Sequence, residues 1–204
     1  MTFVDDYSRM RWVYLLKTKS EAFQTFKNFH AWIENQAQAH IGTFQFDNGK
    51  EYISNEFEYY LSKNGITHQT SIPYNPQQNG VAKRMNRTLM NMERSMMFFK
   101  NVKLMFWGDV VVCTTYLRNR SPYHALEDNT PHEMWFGHLP LVRNLRAFGS
   151  TCYDLIPKEK RNKLGARSGR CIFLGYPDTS KAYRLYDEVN KIFFCFHRCH
   201  FFLN

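Results

Sequence analysis

Residues 73 to 89, PYNPQQNGVAKRMNRTL, constrain the fold of this chain more than any other stretch. Two prolines, Asn75 and the pair Asn79-Gly80 bar regular structure up to residue 80, because proline fixes φ and Asn-Gly favours a turn. From Val81 onward the spacing predicts a helix. Val81, Met85, Leu89, Met92 and Met96 recur at helical intervals as one apolar face, and Lys83, Arg84, Arg87 and Arg94 lie off it. A polar loop therefore feeds a helix with a basic exposed side.

Either side of this helix the pattern is mixed α and β. Residues 2 to 4 and 11 to 16 are rich in β-branched and aromatic side chains and flank the turn Asp5-Asp6-Tyr7-Ser8-Arg9, a hairpin in which Asp5 and Asp6 shape the turn. Ser20 is the expected N-cap of a helix to about residue 38 with Phe23, Phe26, Phe29, Ile33 and Ala37 facing inward. A strand over 41 to 46 ends in Asp47-Asn48-Gly49. Asn55 and Glu58 suggest a capping box for a second helix, with Phe57, Tyr60 and Leu61 inward and Asn64-Gly65 as its stop, followed by a strand over 66 to 70. A further helix is expected from 102 to about 117, and Thr130-Pro131 reads as an N-cap with proline at N1, closed by Gly137. From about residue 148 short β-rich runs at 151–155, 171–176, 183–186, 191–196 and 199–203 predict a small antiparallel barrel.

Across 204 residues the formal charge is +9, which favours a polyanionic partner through counterion release. The five cysteines, at 113, 152, 171, 195 and 199, have no spacing typical of a disulfide framework, so a reducing compartment is the simpler expectation. No apolar run of membrane-spanning length and no signal-peptide core is present in the sequence, so an intracellular protein without a membrane partner is expected. The run Cys195-Phe196-His197-Arg198-Cys199-His200 holds metal-competent side chains. On a strand, however, 195, 197 and 199 face one way and 200 the other, so no zinc is expected there.

Ten segments in order resemble copia-type LTR-retrotransposon integrases: DDYSR, DNGKEY, GITH, PYNPQQNGVA, NRTL, Phe106-Trp107, NRSP, TPHEMWFG, LRAFG and IFLGY. The resemblance implies an α/β fold, an RNase H-like integrase core over residues 1 to 140, and a small SH3-like β-barrel over 148 to 204. It also implies an Asp-Asp-Glu triad that binds Mg²⁺ or Mn²⁺ and joins element DNA to target DNA. Asp47 matches the second acid. The usual family pattern is PQQNGVAERxNRTL, and Lys83 stands where its third acid belongs.

The first acid belongs to an opening strand upstream of DDYSR, so the core is expected to be truncated, with either a gap in the sheet where that strand would pair or a repair of it, by direct closure or by a strand from another copy. A cation at residue 83 repels metal, since like charges about 4 Å apart cost several kcal/mol at intermediate dielectric. Metal binding and catalysis are therefore expected to be lost, and Lys83 is expected to pair with Asp47 instead. DNA is the expected partner, with Lys83, Arg84, Arg87 and Arg94 on phosphates, Gln77, Gln78 and Asn79 offering amide hydrogen bonds, and the basic run 158 to 170 adding charge. A homo-oligomer and, for a working integrase, a nuclear location follow from the resemblance. Three readings stay open: a fragment still capable of strand transfer, a non-catalytic nucleic-acid-binding or protein-interaction module, and a functionless transposon relic.

Overall fold

The computed structural model describes residues 1–46, 54–70, 80–155, 168–177, 182–196 and 199–201, with backbone alone for 70, 80–85, 155 and 200. Two compact units emerge. One combines Met1–Thr2 with Tyr14–Arg87, and the other combines Phe3–Val13 with Thr88–Asn204.

In the first unit, helix α1 (Ala22–Ala37) and helix α2 (Asn55–Lys63) enclose a parallel pair, β3 (Thr43–Phe46) and β4 (Thr67–Thr70). The core combines the aromatic Phe26, Phe29, Phe46 and Phe57 with Ala22, Ile33, Leu61 and Ile66. The Phe26 ring lies 4.5 Å from Phe44 and 4.9 Å from Phe57, and Phe23 lies 5.2 Å from Phe57. Offset and tilted ring pairs of this kind add to the burial term.

Three expectations are corrected here. Ser20 does not cap α1: Lys19–Glu21 form a 3-10 turn, and Glu21 occupies the N-cap position. Ser20 instead shares a hydroxyl hydrogen bond with Thr18, while the Glu21 carboxylate accepts from Lys17 N and Thr18 Oγ1. Asn55 does not cap α2 either. Ser54 does, its side chain accepting from Phe57 N at 3.2 Å, which moves the helix start by one residue. Ala37 is exposed because the last turn of α1 runs past the core. Asn64 and Gly65 end α2 as expected, Gly65 with φ +69°.

The hairpin β1 (Thr2–Val4) and β2 (Arg11–Val13) belongs, from Phe3 onward, to the second unit. Asp5 Oδ2 accepts from both Ser8 N and Ser8 Oγ at 2.7 Å, and Asp6 pairs with Arg9, so both acids do shape the turn. Among the described residues this hairpin and the β3–β4 pair are separate two-stranded sheets, and residues 1 to 20 supply only two three-residue strands.

Helix α3 (Gly80–Phe99) leads through a 3-10 turn at Leu104–Phe106 into α4 (Trp107–Asn119) and then α5 (Pro131–Phe136). The start of α4 is later than the expected 102 because the chain first turns tightly. The α5 cap matches expectation and extends it: Thr130 Oγ1 accepts from Glu133 N, Glu133 reaches back to Thr130 N, and Gly137 closes the helix at φ +73°.

The predicted β runs form one antiparallel sheet in the order β8-β7-β6-β5-β9, comprising β5 (Thr151–Leu155), β6 (Ser168–Gly175), β7 (Tyr183–Asp187), β8 (Ile192–Phe196) and β9 (Cys199–Phe201). A bulge between Phe173 and Gly175 bends β6. There Gly175, at φ +131°, would bring a Cβ within 3.3 Å of Cys113 Cβ on α4. The sheet and α4 thus share one core, built from Phe106, Val110 and Cys113 with Phe148, Cys152, Cys171, Phe173, Leu174 and Leu185.

Candidate nucleic-acid interface and acid positions

Helix α3 carries the basic residues singled out in the sequence. Leu89 is buried and Met92 and Met96 are half-buried, whereas Arg87 and Arg94 are exposed. At 100° per residue Arg87 and Arg94 fall within about 20° of one another and well over 100° from Leu89, so the apolar stripe anchors the helix and the arginines take its far side. Positions 83 and 84 lie in the first turn of the same helix, and their side chains are outside the described residues. So are Gln77, Gln78, Asn79 and Asp47, and with them the expected pairing of Asp47 with Lys83. Of the basic run, residues 158–167 fall outside as well. Arg170, on β6, is exposed with its Nε 3.8 Å from Glu188 Oε2.

The donor set can be tested against the divalent metal that the resemblance implies. Hard Mg²⁺ or Mn²⁺ needs oxygen ligands, and an ammonium at residue 83 offers none. Glu93 is the sole acid on α3 and stands ten residues further, about 15 Å along the axis. Burial pushes its carboxyl above the usual range, which disfavours the ionised form that a ligand requires. Among the described residues no group of three His, Cys, Asp or Glu side chains is arranged to hold a metal ion. Position 83 thus supplies no oxygen ligand of the expected kind.

The structure gives other motif residues mechanical roles that the sequence did not reveal. Asn119, from NRSP, is buried at the end of α4. Its Oδ1 accepts from Arg11 N at 3.1 Å and its Nδ2 donates to Arg11 O at 2.7 Å, so one side chain takes the place of a neighbouring strand along β2. Ser121 Oγ donates to Leu117 O, and the Arg120 guanidinium stacks 3.4 Å over the Tyr116 ring. The Arg11 side chain is buried too, with Nε and Nη1 lacking a hydrogen-bond partner and Tyr123 5.8 Å away. Desolvation, with repulsion from Arg118, lowers its pKa to about 10. Periodicity on a three-residue strand could not have marked this position as inward. No helix among the described residues is long and apolar enough to cross a membrane.

Comparison with known proteins agrees with this organisation. Residues 1–76 match the integrase core domain family, and residues 150–201 match the retroviral polymerase SH3-like domain family. The chain is 44% identical over 191 residues to the retrovirus-related Pol polyprotein from transposon TNT 1-94 of Nicotiana tabacum, covering 94% of this chain and 14% of the relative. It is 36% identical over 181 residues to that of transposon RE1 of Arabidopsis thaliana, covering 89% of this chain and 12% of the relative. The chain therefore spans about an eighth of the length of these relatives.

Among solved structures, a chain of the simian T-cell lymphotropic virus intasome in complex with PP2A regulatory subunit B56 gamma aligns with TM-score 0.52 and 19% identity, covering 96% of this chain and 68% of that one. The HTLV-2 integrase catalytic core in complex with magnesium aligns with TM-score 0.50 and 16% identity, covering 66% and 82%. These likenesses support the fold. With an integrase core region, an SH3-like region and the signature helix between them, the chain belongs to the integrase portion of copia-type retrotransposon Pol polyproteins.

Proposed function

We propose that this chain is a DNA-binding integrase fragment that has lost strand-transfer catalysis, and the observation carrying the reading is Lys83 in the first turn of α3. Phosphoryl transfer of this class uses two cations about 3.5 to 4 Å apart, one on the attacking and one on the leaving oxygen. Lysine in place of a ligand removes an oxygen donor and adds a repelling charge. Binding has different requirements. A net charge of +9 and the exposed pair Arg87 and Arg94 on the face opposite Leu89 support sequence-independent phosphate contact. The same reading places the protein's work at DNA, inside the cell and in the nucleus. The HTLV-2 core is described as a trimeric form, and self-association of this chain is part of the proposal.

The test has two arms. Anisotropy of a labelled DNA duplex, titrated with salt, is expected to show binding that weakens steeply as salt rises. The Arg87→Ala and Arg94→Ala variants should each reduce that log-log slope by about 1. Strand-transfer assays in Mn²⁺ are expected to give no joined product. Joined product from the unaltered chain, or DNA binding indifferent to salt and to both arginines, overturns the proposal.

A further inference from the structure

The α3–α4 corner separates its apolar residues into two sets. Met96, Met97, Val102 and Phe106 pack against the core shared with the β-sheet. Phe98, Phe99, Leu104, Met105 and Trp107 lie outside that core, with 83%, 77%, 73%, 58% and 54% of their surface exposed. The chain reverses within a few residues: Asn101 N donates to Phe98 O at 3.2 Å and Val102 N to Met97 O at 2.9 Å. All five exposed residues therefore sit at one turn between two helices.

The size of this surface limits what covers it. Fully exposed aromatic side chains offer roughly 150 to 250 Å² each and aliphatic ones somewhat less, so the five present about 700 Å². A monomer's largest apolar patch is typically about 300 to 600 Å². A stable protein–protein contact takes about 800 Å² from each partner. The corner alone nearly meets that requirement.

We infer that this corner is the contact surface between two copies of the chain, packed ring to ring about a two-fold axis. The inference rests on the self-association proposed above and assigns it a surface. A two-fold contact presents the same patch twice, so an apolar patch of near-sufficient area is its own complement. Leu104 and Met105 lack the π faces on which unpaired bases stack, which favours protein over nucleic acid as the occupant. Lys100, with its ammonium 5.3 Å over the Phe99 ring, fits a charged rim around an apolar centre. Because each copy carries +9, salt screens repulsion between copies and should tighten this contact, opposite to its effect on DNA binding.

Sedimentation of the full chain from 1 to 100 µM, at 0.1 and 0.5 M NaCl, tests the inference. The expected result is a shift from 24.4 kDa toward twice that mass, more complete at high salt. The double variant Phe98→Ser with Leu104→Ser should dimerise at least tenfold more weakly, with unchanged circular dichroism. Concentration-dependent hydrogen-exchange protection over residues 98–107 in the unaltered chain keeps the test decisive if the variant misfolds. A chain monomeric throughout overturns both this inference and the self-association it rests on. A dimer unaffected by the double variant and showing no protection at the corner overturns the surface alone. Loss of DNA binding in the variant without any change in mass assigns the corner to nucleic acid and also overturns it.

Discussion

At the scale of single residues, Arg11 and Asn119 show how the helix following the signature helix governs the hairpin. Asn119 satisfies both backbone groups of Arg11, so the edge of β2 is closed by a side chain, while the Arg11 guanidinium is enclosed with two nitrogens unpartnered. A buried charge costs several kcal/mol less whatever its neighbours return. Arg11→Met keeps the length and apolar stem and removes the charge. It is expected to raise stability by about 1 to 2 kcal/mol in urea unfolding, and a loss of similar size would show that the guanidinium has a compensating partner. None of this was legible in the sequence, where residues 11 and 119 are separated by 108 positions.

At the scale of elements, the turn before β5 wedges into the α3–α4 corner. Gly149 has φ +76°, and a Cβ there would lie 2.5 Å from Val102 Cγ2 and 2.9 Å from Lys100 Cβ. Positive φ strain and overpacking add, so Gly149→Ala is expected to lower stability by about 2 to 4 kcal/mol with an unchanged urea m-value. The motif LRAFG thus has a mechanical reason for its glycine. Local signals were otherwise a fair guide to the elements. Thr130-Pro131 and Gly137 bounded α5 because capping depends on neighbours a few residues away. The caps of α1 and α2 were each misplaced by one residue, because the backbone geometry that sets where a helix starts is fixed by packing.

At the scale of the whole molecule, acid should weaken the fold in two stages. On α5, burial and then Arg120 hold the His132 pKa below its usual value. The unfolded chain binds that proton more readily, so the related stability is complete above about pH 6.5 and is lost as pH falls through the folded value. The Glu34 carboxylate accepts from Ile41 N at 2.9 Å, with His30 and His40 also within 3.2 Å, and these contacts hold its pKa below the usual range. Its contribution is present above about pH 4.5 and disappears as pH falls through the folded value. Thermal unfolding at pH 7, 5.5 and 4 is expected to show falling Tm at each step. His132→Gln should flatten the first interval, and Glu34→Gln should flatten the last. A first interval unaltered by His132→Gln would place the titrating group elsewhere.

By itself the sequence determined the family, the order of helices and strands, the amphipathic character of α3 and a lysine at position 83, because each of these is written in neighbouring residues or in fixed motif spacing. Only the tertiary structure decided that the sheet and α4 build one core, that Asn119 closes β2, that Arg11 is enclosed, and that the α3–α4 corner turns five large apolar side chains to solvent. Those outcomes depend on which surfaces meet across long separations, and side chains acquire burial and partners only after the backbone has brought them together.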